Sequence, residues 1–421
     1  MLGALISISL TLLAVGLALV ATYLLGLTLA AFAARGLRPP TSEARRRFAI
    51  LIPAHNEEAL IGRLLTNLAQ LDYPATQYDV CVVADNCHDM TAVQARALGA
   101  KVYERFDLAQ QAKGFALRWL LQRLREDDAR YDAFVVLDAD SVVTPDFLRR
   151  MDARLEAGSQ VIQAYYSVLN AGESSLAALR YAALTAIHYL RPLGRSRLGL
   201  SVGLKGNGMC LAAPLLERFS WRWYTLAEDV EFHLALVREG IRVDFAPEAQ
   251  VLADMPVSYV QAASQNARWE RGRLQLMRGH VLGLALDGLR QRSALRLDAA
   301  AEQCIPPLSV PFALGALCLI GGLAMGSYLA AGLAALSLAA QVGYLLAGLA
   351  LAGAPRRAYV ALLGAPLYIA WKVNLYARAL VGARTAAWVR TARGPTKADA
   401  GEPALLSVSS QVNARAGGST Q

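Results

Sequence analysis

Two stretches of this chain, residues 1–34 and 304–355, contain no Asp, Glu, Lys or Arg. A run of about 20 apolar residues can cross the hydrocarbon of a bilayer as a helix. In that solvent only helices and closed barrels satisfy their own backbone hydrogen bonds. Both blocks are therefore read as membrane helices. Between them charged residues return at ordinary density, and roughly 250 residues are enough for a globular domain with its own core. With 55% hydrophobic and 18% charged residues, the chain is neither a purely soluble protein nor a disordered one, and its middle excludes a pure membrane bundle.

Residues 2–34 lie where a signal peptide would. Their apolar run is about twice the length of an h-region and has no basic n-region before it, so a span is expected. Arg35, Arg38, Arg45, Arg46 and Arg47 follow it, which by the positive-inside rule places the N-terminus outside and the middle domain in the cytoplasm. Residues 306–320 and 328–351, separated by a short Gly-containing turn, predict a transmembrane hairpin. Residues 358–371 are apolar for only about fourteen positions before Lys372 and Arg378, short of a span. A full crossing there would also carry Arg384, Arg390 and Arg393 outside, so a tilted, re-entrant or interfacial helix is expected. Pro395 onward reads as a disordered tail. The expected division is 1–34 membrane helix, 35–47 basic linker, 48–280 globular domain, 281–305 interfacial linker, 306–382 membrane or interfacial helices, and 383–421 basic segment and tail.

The net charge of +9 comes almost wholly from Arg, which suits anchoring against anionic headgroups. No basic stripe with interleaved aromatics is present, so nucleic acid is not expected as a partner. Five cysteines, an odd number, imply no disulfide framework. Cys81 and Cys87 lack the spacing of a zinc site. Arg-, Ala- and Leu-rich usage with little Lys points to a GC-rich bacterial genome and a cytoplasmic membrane.

In the middle domain short apolar runs alternate with helical patterns: strands over 48–52, 78–83, 101–103 and 133–137, helices over 57–70, 91–98 and 111–125. This predicts an α/β layered fold with a mostly parallel sheet. Ligands in such sheets bind at the carboxyl ends of the strands. The first predicted strand ends in Pro53-Ala54-His55-Asn56-Glu57-Glu58 and the second in Ala84-Asp85-Asn86. Both read equally as turns and helix caps or as nucleotide contacts. After the fourth comes Asp138-Ala139-Asp140, where two acids can supply oxygens to a divalent cation on a diphosphate. Glu228-Asp229 opens a predicted helix, where acids also serve as simple caps. Gln265-Asn266-Ala267-Arg268-Trp269 reads either as a solvated helical face or as groups that stack on a sugar and hold phosphate oxygens. The five histidines are scattered and read as packing or surface residues.

Taken together and in this order, Asp85, Asp138-Ala139-Asp140, Glu228-Asp229 and Gln265-Asn266-Ala267-Arg268-Trp269 resemble the inverting family 2 glycosyltransferases of the GT-A fold, which include cellulose, chitin and hyaluronan synthases. The likeness covers roughly residues 48–280. Lys113-Gly114-Phe115-Ala116-Leu117 is similar to the family's K-G-x-A-L element, and Trp388-Val389-Arg390-Thr391-Ala392-Arg393 to a W-x-R-T-x-R element. The resemblance implies an enzyme using a nucleotide-sugar donor, UDP-linked in the first instance, with Mg2+ or Mn2+. It implies that Pro53, Ala54, Asn56, Glu57 and Asp85 hold the nucleoside, with Lys113 near the nucleotide. Asp138 and Asp140 would hold the metal. Asp229, beside Glu228, would be the general base. Gly206, Asn207 and Gly208 would line the acceptor path, and Gln265, Arg268 and Trp269 the diphosphate and acceptor side. Ala84 and Ala227 stand where the family often carries a second acid and a Thr. One carboxylate base plus charge stabilisation of the leaving diphosphate suffices for inversion. The resemblance leaves a β-linked polysaccharide or a single sugar on a membrane lipid as the product, the 181–200 stretch with Arg191, Arg195 and Arg197 being read as lying at the bilayer surface. The competing class is a non-catalytic protein that keeps the fold. Accessory subunits are not legible.

Overall fold

The structure is a computed structural model that describes residues 2–34, 40, 43–127, 130–225 and 227–381. The element expected at 388–393, with Arg35, Arg38 and Arg384, lies outside the described residues. Eight strands form one sheet in the order β3-β2-β1-β4-β7-β6-β8-β5. Their ranges are β1 Phe48–Ala54, β2 Tyr78–Asp85, β3 Lys101–Arg105, β4 Ala133–Val136, β5 Ser141–Val143, β6 Val161–Val168, β7 Met209–Ala212 and β8 Asp244–Ala253. The first four are the predicted ones, and all run parallel. β7 is antiparallel to both β4 and β6, β8 is parallel to β6, and β5 is antiparallel to β8. The chain goes from β1 outward to β2 and β3, then returns to add β4 on the other side of β1. The order reverses there, and the carboxyl ends of β1 and β4 open the crevice where such sheets bind ligands.

Successive side chains of a strand point to opposite faces, and a sheet covered on both faces reads as a continuous apolar run. β1 shows this. Phe48, Ile50 and Ile52 enter one core with Leu64, Phe147 and Met151, while Ala49 and Leu51 enter the other with Leu117, Trp221 and Phe232. The helix expected over 57–70 is a correction: it is confined to Ile61–Leu68. The reason is tertiary, because the backbone N–H of Glu57 donates to Thr91 Oγ1 at 2.8 Å and that of Glu58 to Asp89 Oδ2 at 3.1 Å. These bonds tie the β1 loop to the β2 loop and hold Glu57 in a turn ahead of the helix, its carbonyl accepting from the Leu60 and Ile61 N–H groups at 3.0 and 2.9 Å.

The helices Leu2–Ala33 and Tyr328–Ala352 and the segment Arg356–Arg378 are long and apolar enough to cross a membrane. Ala294–Cys304 and Ser309–Ala324 meet at a 68° bend and would add a fourth crossing if the pair is one span. The short apolar segment expected at 358–371 is thus corrected in length. Lys372 does not end it, because its ammonium turns into the protein, 3.0 Å from Glu270 Oε1, and donates to Asn266 Oδ1 at 2.5 Å. The 181–200 stretch, expected at the bilayer surface, packs against two of the candidate spans. Ser175–Thr185, a π turn Ala186–Leu190 and Arg191–Arg197 pack against the Leu2–Ala33 and Tyr328–Ala352 helices, with Leu190 and Tyr344 in one apolar cluster with Leu24 and Ala31. Arg191 donates to Tyr344 Oη at 2.9 Å. Arg195, 1% exposed, lies 3.1 Å from Asp298, pairs with Glu302 and donates to Tyr23 Oη at 2.5 Å. A Cβ on Gly194 would lie 2.2 Å from Leu27 O, so helix and domain touch backbone to backbone.

Candidate active site

The helix Lys113–Glu126 explains each residue of its opening K-G-F-A-L. Ala116 and Leu117 are core residues, 1% and 0% exposed. Phe115 stacks on Tyr224 with centroids 4.1 Å apart. A Cβ on Gly114 would stand 1.9 Å from the carbonyl oxygen of Trp223, so the helix start lies directly on the backbone that leads to Glu228 and Asp229. Lys113 is thereby delivered into the crevice. Its Nζ donates to Asp138 Oδ1 at 2.5 Å and also to the carbonyl of Gly206. Burial works against its charge, but Asp138, Glu228 and Asp229 outweigh it and hold the ammonium above its ordinary range. A Gly114→Ala protein should lose about 1–3 kcal/mol, the cost of overpacking a tight contact, read as a lower melting temperature; an unchanged one would mean that the helix start can back away.

Asp138 and Asp140 sit just beyond β4. The Asp138 N–H donates to Asn207 Oδ1 at 3.1 Å, and Asn207 Nδ2 donates to Ser141 Oγ at 2.8 Å, so the turn carrying both acids is held from the Gly206-Asn207-Gly208 side. Asp140 is buried and accepts from Ser141 Oγ at 3.2 Å. Among the described residues no three His, Cys, Asp or Glu side chains converge on one point. Mg2+ or Mn2+ can bind through one or two carboxylates when substrate phosphates complete its shell, and Asp138 and Asp140 could supply that many.

Gly206 has φ +72°, and a Cβ there would meet Asp229 Oδ2 at 3.4 Å. The carboxylate of Asp229 therefore faces the glycine-lined path. Glu228 and Asp229 open the helix Glu228–Arg238. Burial pushes both carboxyls up; for Glu228 the neighbouring Asp229 charge adds to this, while for Asp229 the backbone, Lys113 and Lys205 oppose it. Lys205 was not singled out by sequence. Burial pushes its ammonium down, against Glu302 and Asp229, and its Nζ and Glu302 both border Gly203. A base must be ionised to act, so activity falls as pH drops through its raised pKa. Removing a cation that lowers this pKa raises it further, so a Lys205→Met protein should show its acid limb of kcat/KM at higher pH than wild type. A limb that stays in place would disconnect Lys205 from the base.

The expected nucleoside residues form a neighbouring patch. Pro53 and Ala54 end β1. Asn56, with φ +55°, accepts from the His88 N–H at 2.9 Å, and a His55 ring nitrogen bonds the Asp85 carbonyl at 2.7 Å. Asp85 already carries an ion pair, its Oδ1 lying 2.6 Å from Arg105; burial nevertheless pushes its carboxyl up. The helix Tyr259–Arg290 carries Gln265, Arg268 and Trp269. Gln265 is buried and its Oε1 accepts from Arg180 at 2.5 Å, and the Arg180 guanidinium lies over the Trp269 ring at 5.7 Å. The buried phenol of Tyr166 lies in the field of Asp138, Arg180 and Arg268. Lys113, Asp138, Gly206, Asn207 and Asp229 thus converge directly. Sequence missed Arg180, Tyr166 and Lys205.

A family model described as glycosyltransferase like family 2 matches residues 45–272. The beta-monoglucosyldiacylglycerol synthase of Trichormus variabilis is 28% identical over 238 residues, 54% of this chain and 48% of that protein. Glucomannan 4-beta-mannosyltransferase 7 of Arabidopsis thaliana is 22% identical over 242 residues, 54% of this chain and 43% of that one. The chain spans about half the length of these relatives. Among solved structures, a mannosyltransferase from Pyrobaculum calidifontis in complex with GDP-Man and Mn2+ has a TM-score of 0.52 at 18% identity, over 90% of this chain and 99% of that one. At that identity the likeness is one of fold.

Proposed function

This chain belongs to the family 2 glycosyltransferases and has their GT-A fold, and from that membership we propose that it moves a sugar from a nucleotide-sugar donor to an acceptor hydroxyl with inversion, building a β-linked polysaccharide. The observation that carries this is the approach of Lys113, Asp138, Gly206 and Asp229 around one crevice at the sheet's switch point. Asp229 takes the proton of the acceptor hydroxyl as that oxygen attacks the anomeric carbon, and the nucleoside diphosphate leaves from the opposite face. Asp138 and Asp140 would hold Mg2+ or Mn2+, which when bound neutralises the diphosphate. Lys113 pins Asp138 and adds charge beside it. Pro53, Ala54, Asn56, Glu57 and Asp85 supply the nucleoside side, and Gln265, Arg268 and Trp269 the wall facing donor and acceptor.

The second reading is transfer of one sugar to a membrane lipid. It is supported by the likeness to a beta-monoglucosyldiacylglycerol synthase and by the contact of the apolar segment Arg356–Arg378 with the Tyr259–Arg290 helix through Lys372 and Glu270. In either reading the globular domain, 48–280, works on the cytoplasmic face of a bacterial membrane, held by residues 1–34 and 306–382. Membranes containing the chain are incubated with labelled UDP- and GDP-sugars and Mg2+ or Mn2+, and label in lipid extract is separated from label in polymer. Retained polymer is expected. Label confined to one glycolipid would replace the first reading by the second, and no transfer from any donor would leave a fold kept without catalysis.

A further inference from the structure

Arg180 is 3% exposed. One nitrogen donates to Gln265 Oε1 at 2.5 Å and to Met255 Sδ at 3.4 Å, yet Nε and the other terminal nitrogen are buried with no hydrogen-bond partner. Around it stand Tyr166, Tyr368 and Trp269, and no carboxylate of the described residues. Arg105 and Arg195, equally buried, each have two acids. A buried charge without a counter-charge costs several kcal/mol, and either unfilled N–H can donate a charge-assisted hydrogen bond to a phosphate oxygen. The charges of Asp138, Arg180 and Arg268 all act on the phenol of Tyr166, which ties this point to the rest of the site.

We propose that Arg180 binds a phosphate oxyanion of a substrate, with Gln265 and Trp269 holding its guanidinium in place for that contact. The inference rests on the donor reading above insofar as the phosphate is a nucleoside diphosphate's; the same chemistry could come from an anionic acceptor lipid. It also explains why position 265 carries an amide. The Gln265 carbonyl fixes one edge of the guanidinium without neutralising it, which a carboxylate at that position would do.

Full-length protein in phosphatidylcholine nanodiscs is titrated calorimetrically with UDP and GDP in Mn2+, with uridine and guanosine as phosphate-free controls, and with short-chain phosphatidic acid. Arg180→Met should weaken a phosphate-bearing probe about tenfold or more, the worth of a charge-assisted hydrogen bond, and leave the nucleosides unaffected. The probe that loses affinity identifies the source, nucleotide or lipid. Gln265→Glu should do the same by pairing Arg180 internally, with a melting temperature no lower than wild type, so a folding defect in the first variant does not blunt the test. Should both variants bind every phosphate probe as wild type does, the inference is overturned while donor binding stands. Should wild type bind none of them, the inference and the donor reading fall together.

Discussion

An Asp229→Asn protein is expected to transfer sugar about 10²–10⁴ times more slowly than wild type, the usual contribution of a positioned general base. Two adjacent acids compete for that role, and the geometry separates them. The Gly206 backbone, which has no side chain to block it, lies against Asp229, within 3.4 Å of Oδ2 from where a Cβ would be. Lys113 and Lys205 both act to keep Asp229 ionised. Asn keeps the shape and loses the proton acceptor, so donor affinity, set elsewhere in the crevice, should stay near wild type while kcat falls. The matched Glu228→Gln protein should lose much less. Measured side by side under saturating donor, a Glu228 variant with the larger loss would reverse the assignment, and full activity in Asp229→Asn would remove it.

The second large effect is structural. Lys372 and Glu270 are buried against each other, with side chains 9% and 8% exposed. Lys372→Met would strand Glu270 in a site it cannot leave, because Glu270 sits mid-helix next to Trp269. Removing one partner of a buried pair costs about 3–5 kcal/mol. The melting temperature in detergent should drop accordingly, and activity with it, since the same helix carries Gln265 and Arg268. A Lys372→Met, Glu270→Met double variant should recover most of the loss because neither charge is then stranded. A single variant that melts with wild type would show that water reaches the pair.

Much of the sheet was legible because β1 to β4 are short apolar runs ending in turn residues. β6 and β8 were not. β6 is buried along its whole length yet carries Gln163 and Ser167, and Gln163 commits its amide to the Asn207 carbonyl and the Lys205 N–H, a long-range satisfaction that no local pattern displays. β8 contains Pro247 and Glu248, and Glu248 is paired with Arg154 from another element. At the site, the acids, glycines and Lys113 were legible because each lies in a short motif. Arg180 was not, since a lone Arg in an apolar helix reads the same whether it snorkels or is buried. One usable signal was overlooked. The chain has only five lysines, Lys101, Lys113, Lys205, Lys372 and Lys397, among 42 basic residues. Lys113 and Lys372 each ion-pair with an acid, Asp138 and Glu270, and the Lys205 ammonium borders Gly203 beside Glu302.

The contact of Gly194 with Leu27, and of Arg195 with Tyr23, makes rotation of the first helix a variable of the enzyme. One residue inserted between Tyr23 and Leu27 leaves length and hydropathy nearly unchanged for the bilayer. It turns everything on one side of the insertion by about 100°. Tyr23 and Leu27 could then not both keep their partners. A generic anchor of equal greasiness is consequently no substitute for this one, and the azimuth of the helix is as much a part of the protein's specification as any residue in the crevice.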